Sequence, residues 1–171
     1  MPMLKAYKKH GFILIIVLCL LCVTFAHAQD RYKPQYLSFL DTSKGRQLLL
    51  QCSRSAPTNV KGFWVIREPE RAELSRKFKR LLTKLSRQYN VEPVFSTFQG
   101  YCVQCIGVII HGRKFIYISG FKLGPDELRD DEYKNWQTEP IVICDGGDSV
   151  WGALFNTRSK SFSQLKFNGV G

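Results

Sequence analysis

One stretch of the chain dictates a helix, and the residues after it dictate a sheet. In EPERAELSRKFKRLLTKLSRQYN, residues 68–90, the apolar residues are Leu74, Phe78, Leu81, Leu82, Leu85 and Tyr89. Those intervals repeat every three or four positions, which lays one apolar stripe along a helix. Pro69 suits the first turn, where a missing N–H costs nothing. Glu68, Glu70 and Glu73 lie at the positive end of the helix dipole, and Lys84 and Arg87 at the negative end. Asn90 and Pro93 mark the stop. The opposite face carries Arg71, Arg76, Lys77, Lys79 and Arg80. A solvated surface accounts for these charges, and weak attachment to an anionic membrane surface is the functional alternative.

After residue 94 the pattern changes to aromatic and β-branched runs. FSTFQGYCVQCIGVII (95–110) and KFIYISGF (114–121) read as a hairpin closed at His111-Gly112, with Gly112 supplying the positive φ. KLGPDELRDDEYKNWQTEP (122–140) reads as a surface loop or a short acidic helix. EPIVIC (139–144) is expected to be a third strand, VWGALFN (150–156) a fourth and FSQLKFNG (162–169) the last. Leu165 and Phe167 share one face of the last strand; Gln164, Lys166 and Asn168 share the other. Such alternation predicts an antiparallel sheet with one face buried and one wet. Upstream, RQLLLQCSR (46–54) fits a short strand or one or two helical turns, with three leucines favouring helix. FWVI (63–66) is too short to assign. The expected fold is α+β: one long amphipathic helix packed on an antiparallel sheet of about four to five strands, cystatin-like or NTF2-like in outline.

The first 28 residues carry three lysines, an apolar run from Phe12 and an Ala26-His27-Ala28 cleavage pattern. This is the layout of a secretory signal peptide, and the run is shorter than the about 20 residues of a membrane span. Residues 29–45 form a partly ordered lead-in, and 46–171 a single domain. With the three leader lysines removed, 22 basic residues face 14 acidic ones, a net charge of +8. An exported basic domain favours a protein or an anionic envelope component as partner over nucleic acid.

Four cysteines remain after the leader: Cys52, Cys102, Cys105 and Cys144. In an oxidising compartment they default to disulfides, in any of three pairings. A lone C-x-x-C without a second close pair argues against zinc. That C-V-Q-C stands in a strand, not at a helix N-terminus that would lower a thiol pKa, which argues against redox catalysis. Its spacing sends Cys102 and Cys105 to opposite faces of a regular strand. His111, the one histidine past the leader, sits in a turn with no nucleophile beside it, and no phosphate loop or H-E-x-x-H occurs. No cofactor is expected, and the reading leans away from an enzyme. In DGGDS, Asp145 and Asp148 suit a chain reversal better than a calcium site, which needs six or more oxygens. As an exposed turn it is still a candidate binding loop.

The stretches QCSRSAP (51–57), FIYISGF (115–121), VICDGG (142–147), WGALFN (151–156) and LKFNG (165–169) resemble, in this order, a group of small exported bacterial proteins of uncharacterised function. The resemblance covers most of the chain past the leader and implies no particular activity. It implies that Cys52 and Cys144 are the shared, bonded pair, from which Cys102 and Cys105 depart. Closing that loop would stabilise by roughly 4–5 kcal/mol. The expected role is a non-catalytic binding domain, periplasmic or secreted, with Asp145, Asp148 and Trp151 as contacts and Arg54 nearby. The alternative is a small-ligand enzyme or binding protein with an NTF2-like pocket that uses Asp145 or Asp148.

Overall fold

Both edges of the central hairpin are occupied, and that fixes where everything else goes. A computed structural model describes residues 36–88, 101–124 and 126–169, all within one compact unit spanning Tyr32–Gly171. The expected leader (1–28), the expected lead-in before residue 36, Tyr89 with the expected helix stop, and the stretch 95–100 lie outside the described residues. Strands β3 (Tyr101–Ile110) and β4 (Arg113–Lys122) pair antiparallel along their whole length. Their turn places both His111 (φ 47°) and Gly112 (φ 71°) in the left-handed region, the type I′ geometry of a two-residue hairpin. Strands β5 (Val150–Asn156) and β6 (Ser161–Phe167) extend the sheet beyond β4.

The other edge of β3 is shared. Strand β1 (Tyr36–Phe39) runs parallel to it along Cys102–Cys105, and β2 (Val60–Trp64) runs antiparallel along Gly107–Ile110. The sheet therefore has six strands and is mixed, where four to five antiparallel strands were expected. β1 falls inside the stretch read as a lead-in. The expected strand at 139–144 does not form. β4 has no free edge to receive it, since β3 and β5 take both. The segment is held by a side chain instead: the Ile141 N–H donates to Gln104 Oε1 at 2.9 Å. Gln104 Nε2 in turn donates to the carbonyls of Glu139, at 2.7 Å, and Trp136.

Short helix α1 (Gly45–Leu48) precedes β2, and α2 (Glu68–Gln88, 21 residues) comes after it. Of the apolar stripe on α2, the side chains of Leu74 and Phe78 are described, and both are fully buried. They join Val103, Cys105, Ile116, Ile118, Trp151 and Phe155 on one sheet face. The second face is not wet. Leu48 covers Ile106, Val108, Tyr117 and Leu154. Trp136 and Ile141 cover Cys102, Phe121 and Val150, with Phe121 edge-on to Trp136 at 6.2 Å. Burial on both sides explains why β3 reads as a nearly continuous apolar run.

Candidate functional site

The segment that carries Arg54 crosses this second face. Arg54 is 5% exposed, and its guanidinium lies against β4 and β5. Nη1 donates to Asn168 Oδ1 at 2.5 Å, and Nη2 donates to Ser119 Oγ at 2.8 Å and Tyr117 OH at 3.4 Å. Nε has no hydrogen-bond partner among the described residues. Each acceptor is neutral, so the buried charge is solvated by dipoles and not by a carboxylate. Removing any one of them exposes a charge to an apolar interior, which is expensive. Tyr117 feels both sides of this: burial pushes its pKa up, and Arg54 partly offsets that.

A glycine makes the arrangement possible. A Cβ at position 152 would stand 2.8 Å from Arg54 Nε and 3.0 Å from Tyr117 OH. The residue before it serves the other face. Trp151 is fully buried against Phe78, at 6.4 Å between ring centroids, and its indole lies where a Cβ at Gly120 would be, 2.3 Å away. The strand periodicity of two thus sends Trp151 to one face and leaves the recess at Gly152 on the other.

Asn168 carries the network outward. Its Nδ2 donates to the carbonyls of Ile143, at 2.5 Å, and Asp145, at 2.8 Å. Its own N–H donates to the Val150 carbonyl at 2.9 Å, and the next residue, Gly169, donates to Ser53 Oγ at 2.6 Å. Between these bonds Cys52 and Cys144 form a disulfide with Cα atoms 5.1 Å apart. The loop from Ile143 to Ser149 is therefore clamped at the disulfide, at Asn168, and at Gly147, whose N–H donates to the Gly169 carbonyl at 3.2 Å. Gly146 (φ 94°) and Gly147 (φ 48°) reverse the chain into a single 3-10 turn, Gly147–Ser149. DGGDS is a turn, with Asp145 and Asp148 both exposed.

Among the expected contacts, then, Asp145 and Asp148 share one exposed loop and Arg54 lies beneath it. Trp151 packs on the far face and offers no surface. His111 is exposed in its hairpin, and among the described residues no three His, Cys, Asp or Glu side chains are placed to hold a metal ion. Cys102 and Cys105 are free and buried on opposite faces of β3. Burial alone pushes the Cys102 thiol up to about 12 and the Cys105 thiol higher still, so neither is a nucleophile at neutral pH.

Sequence reasoning misses Ser119, Gly152 and Asn168 as parts of this node. Alternation puts Asn168 on the wet side of the last strand. A bulge at Gln164 (φ 53°) breaks the register between Gly152 and Leu154, and Asn168 lies just past the strand, buried. A signal for the node does exist: QCSR, YISGF, CDGG, WG and FNG each supply one part of it. Compared with protein-family models, with curated proteins and with solved structures, the chain matches none. No helix among the described residues is long and apolar enough to cross a membrane.

Proposed function

We propose that this protein is an exported, non-catalytic domain that binds a macromolecular partner through the Asp145–Asp148 loop, in the periplasm or outside the cell. One observation carries the reading. The loop is fixed at three points, yet the only charged side chains it carries, Asp145 and Asp148, are left exposed. A loop ordered before binding loses little entropy on binding, which is what a recognition surface needs. Two carboxylates on a rigid turn suit a partner protein with a basic surface, as an inhibitor, immunity-type or envelope adaptor protein would meet. Helix α2 lying over the sheet, in a cystatin-like or NTF2-like outline, serves as scaffold. Arg54 is a positioning residue that acts through Asn168. The disulfide fits export, because such bonds persist in oxidising compartments.

The alternative, catalysis by Asp145 or Asp148 in an enclosed pocket, has less support, since both side chains face solvent and the sheet beside them is covered. The test is affinity capture from an envelope extract with the wild-type protein and with an Asp145→Asn/Asp148→Asn double variant. Exposed positions leave the fold unchanged, so a partner retained by wild type should be lost by the variant. Equal retention by both would refute the assignment of the loop.

A further inference from the structure

Strands β1 and β2 end facing each other. Phe39 pairs with Cys105 and Trp64 with Gly107, so both chains leave the sheet on either side of Ile106. Where they part, the surface holds a cleft of about 210 Å³. Its lining combines apolar Phe39, Leu40, Val65 and Ile66 with polar Asp41, Thr42 and Arg71.

Arg71 is held at two points. Its guanidinium stands 4.8 Å over the centroid of the Phe39 ring, and its Nε donates to the Ile66 carbonyl at 3.0 Å. Its two terminal nitrogens make no hydrogen bond or ion pair with a described residue. The carboxylate in the same cleft does not neutralise it. Asp41 Oδ1 accepts the Ser43 N–H at 2.8 Å, and Ser43 is the main cause that holds this carboxyl below its ordinary range, with Lys44 a smaller one. Glu70 is likewise committed, to the Arg67 N–H. Beside Arg71, Val65 is 63% exposed, one of two large apolar side chains left so open among the described residues.

We propose that the cleft binds an α-carboxylate bearing an apolar side chain. The terminal nitrogens of Arg71 present the two-pronged geometry that a carboxylate accepts. Phe39, Val65 and Ile66 cover the apolar group. The volume is below the roughly 300–1,000 Å³ of drug-sized sites, which limits the occupant to about one residue. Two sources share this chemistry: a free apolar amino acid, and the last residue of a peptide chain. Asp41 Oδ2, the oxygen that does not accept the Ser43 N–H, would meet the ammonium of the first or the final amide N–H of the second. The proposal is independent of the Asp145–Asp148 loop.

The test is titration of the 15N-labelled protein with L-leucine, N-acetyl-L-leucine and L-leucinamide, tracking the backbone amides of Phe39, Thr42, Val65 and Ile66. The carboxylates should shift these signals, and leucinamide should bind about tenfold more weakly or worse. N-acetyl-leucine binding the tighter of the two identifies a peptide terminus; leucine binding the tighter identifies the free amino acid. Arg71→Gln should weaken the better ligand about tenfold. Val65→Glu, at an exposed position that leaves the fold alone, should weaken it through charge repulsion. Leucinamide binding as well as the carboxylates, unchanged binding by Val65→Glu, or no shift with any ligand would overturn the proposal.

Discussion

Arg54 occupies the recess that Gly152 leaves on β5: a methyl group there would stand 2.8 Å from Arg54 Nε. The glycine faces the one part of the guanidinium that makes no hydrogen bond. This contact joins two stretches of chain about a hundred residues apart. Gly152→Ala must push the guanidinium away from Ser119 and Asn168, or bend β5. We expect a loss of about 1–3 kcal/mol, the usual range for overpacking. Urea denaturation checks it, and unchanged stability would mean that the side chain moves aside freely.

Asn168→Ala should cost more than a typical polar truncation. The amide accepts from Arg54 and donates to two carbonyls, so its loss strands a buried cation and frees the loop carrying Asp145. Breaking one partner of a buried charge costs about 3–5 kcal/mol when the charge is fully desolvated. The double variant Arg54→Met/Asn168→Ala removes the stranded cation along with its partner. It should be more stable than Asn168→Ala alone, which denaturation curves of the three proteins would show.

Loss of the disulfide tests the clamp separately. Cys52→Ser/Cys144→Ser removes a crosslink between residues 92 positions apart. Chain entropy places the loss at about 4–5 kcal/mol, less whatever order the unfolded chain retains. Asn168 still holds Ile143 and Asp145 in the variant. Amide exchange should therefore quicken near Ser53 and Cys144 while the β3–β4 hairpin stays protected relative to global unfolding.

Gln104 offers a fourth check. Its side chain satisfies the Ile141 N–H and the carbonyls of Trp136 and Glu139, all without a strand ladder. Gln104→Leu leaves these groups unpaired beside a buried Ile141. A cost of about 1–3 kcal/mol for each group that water cannot reach is expected. Faster amide exchange between Trp136 and Ile141, with α2 unaffected, is the matching signature.

Some of this was legible in the sequence because it depends on local rules. The His111-Gly112 hairpin and the DGGDS turn come from which residues tolerate positive φ, and β3 to β6 from their side chains. The placement of Cys102 and Cys105 on opposite faces comes from a spacing of three in a strand, whereas their free state does not. The features that escaped depend on partners far away in sequence. Nothing local in Tyr36–Phe39 says that it will pair parallel to β3. EPIVIC has the composition of a strand and is denied an edge by β5. Arg54 and Asn168 look like surface residues because polarity argues for exposure unless the acceptors that bury them are known. The wet second face failed for the same reason: Trp136 and Ile141 return from a loop to cover it.

The two thiols yield a pH prediction with a definite sign. Burial raises the Cys102 pKa from 9.0 to about 12 and that of Cys105 further, while in the unfolded chain both ionise near 9. The folded chain therefore keeps protons that the unfolded chain loses. Stability attributable to them is unaffected below about pH 9 and falls as pH climbs from 9 toward 12. Tyr117 acts in the same direction. Cys105→Val, which keeps an apolar group of similar size in the core, should flatten the alkaline limb of a stability profile and leave the neutral range little changed. At pH 8 an aromatic disulfide reagent should label neither thiol in the native protein and both once guanidinium is added. Rapid labelling of the native protein at that pH would show that β3 opens without global unfolding.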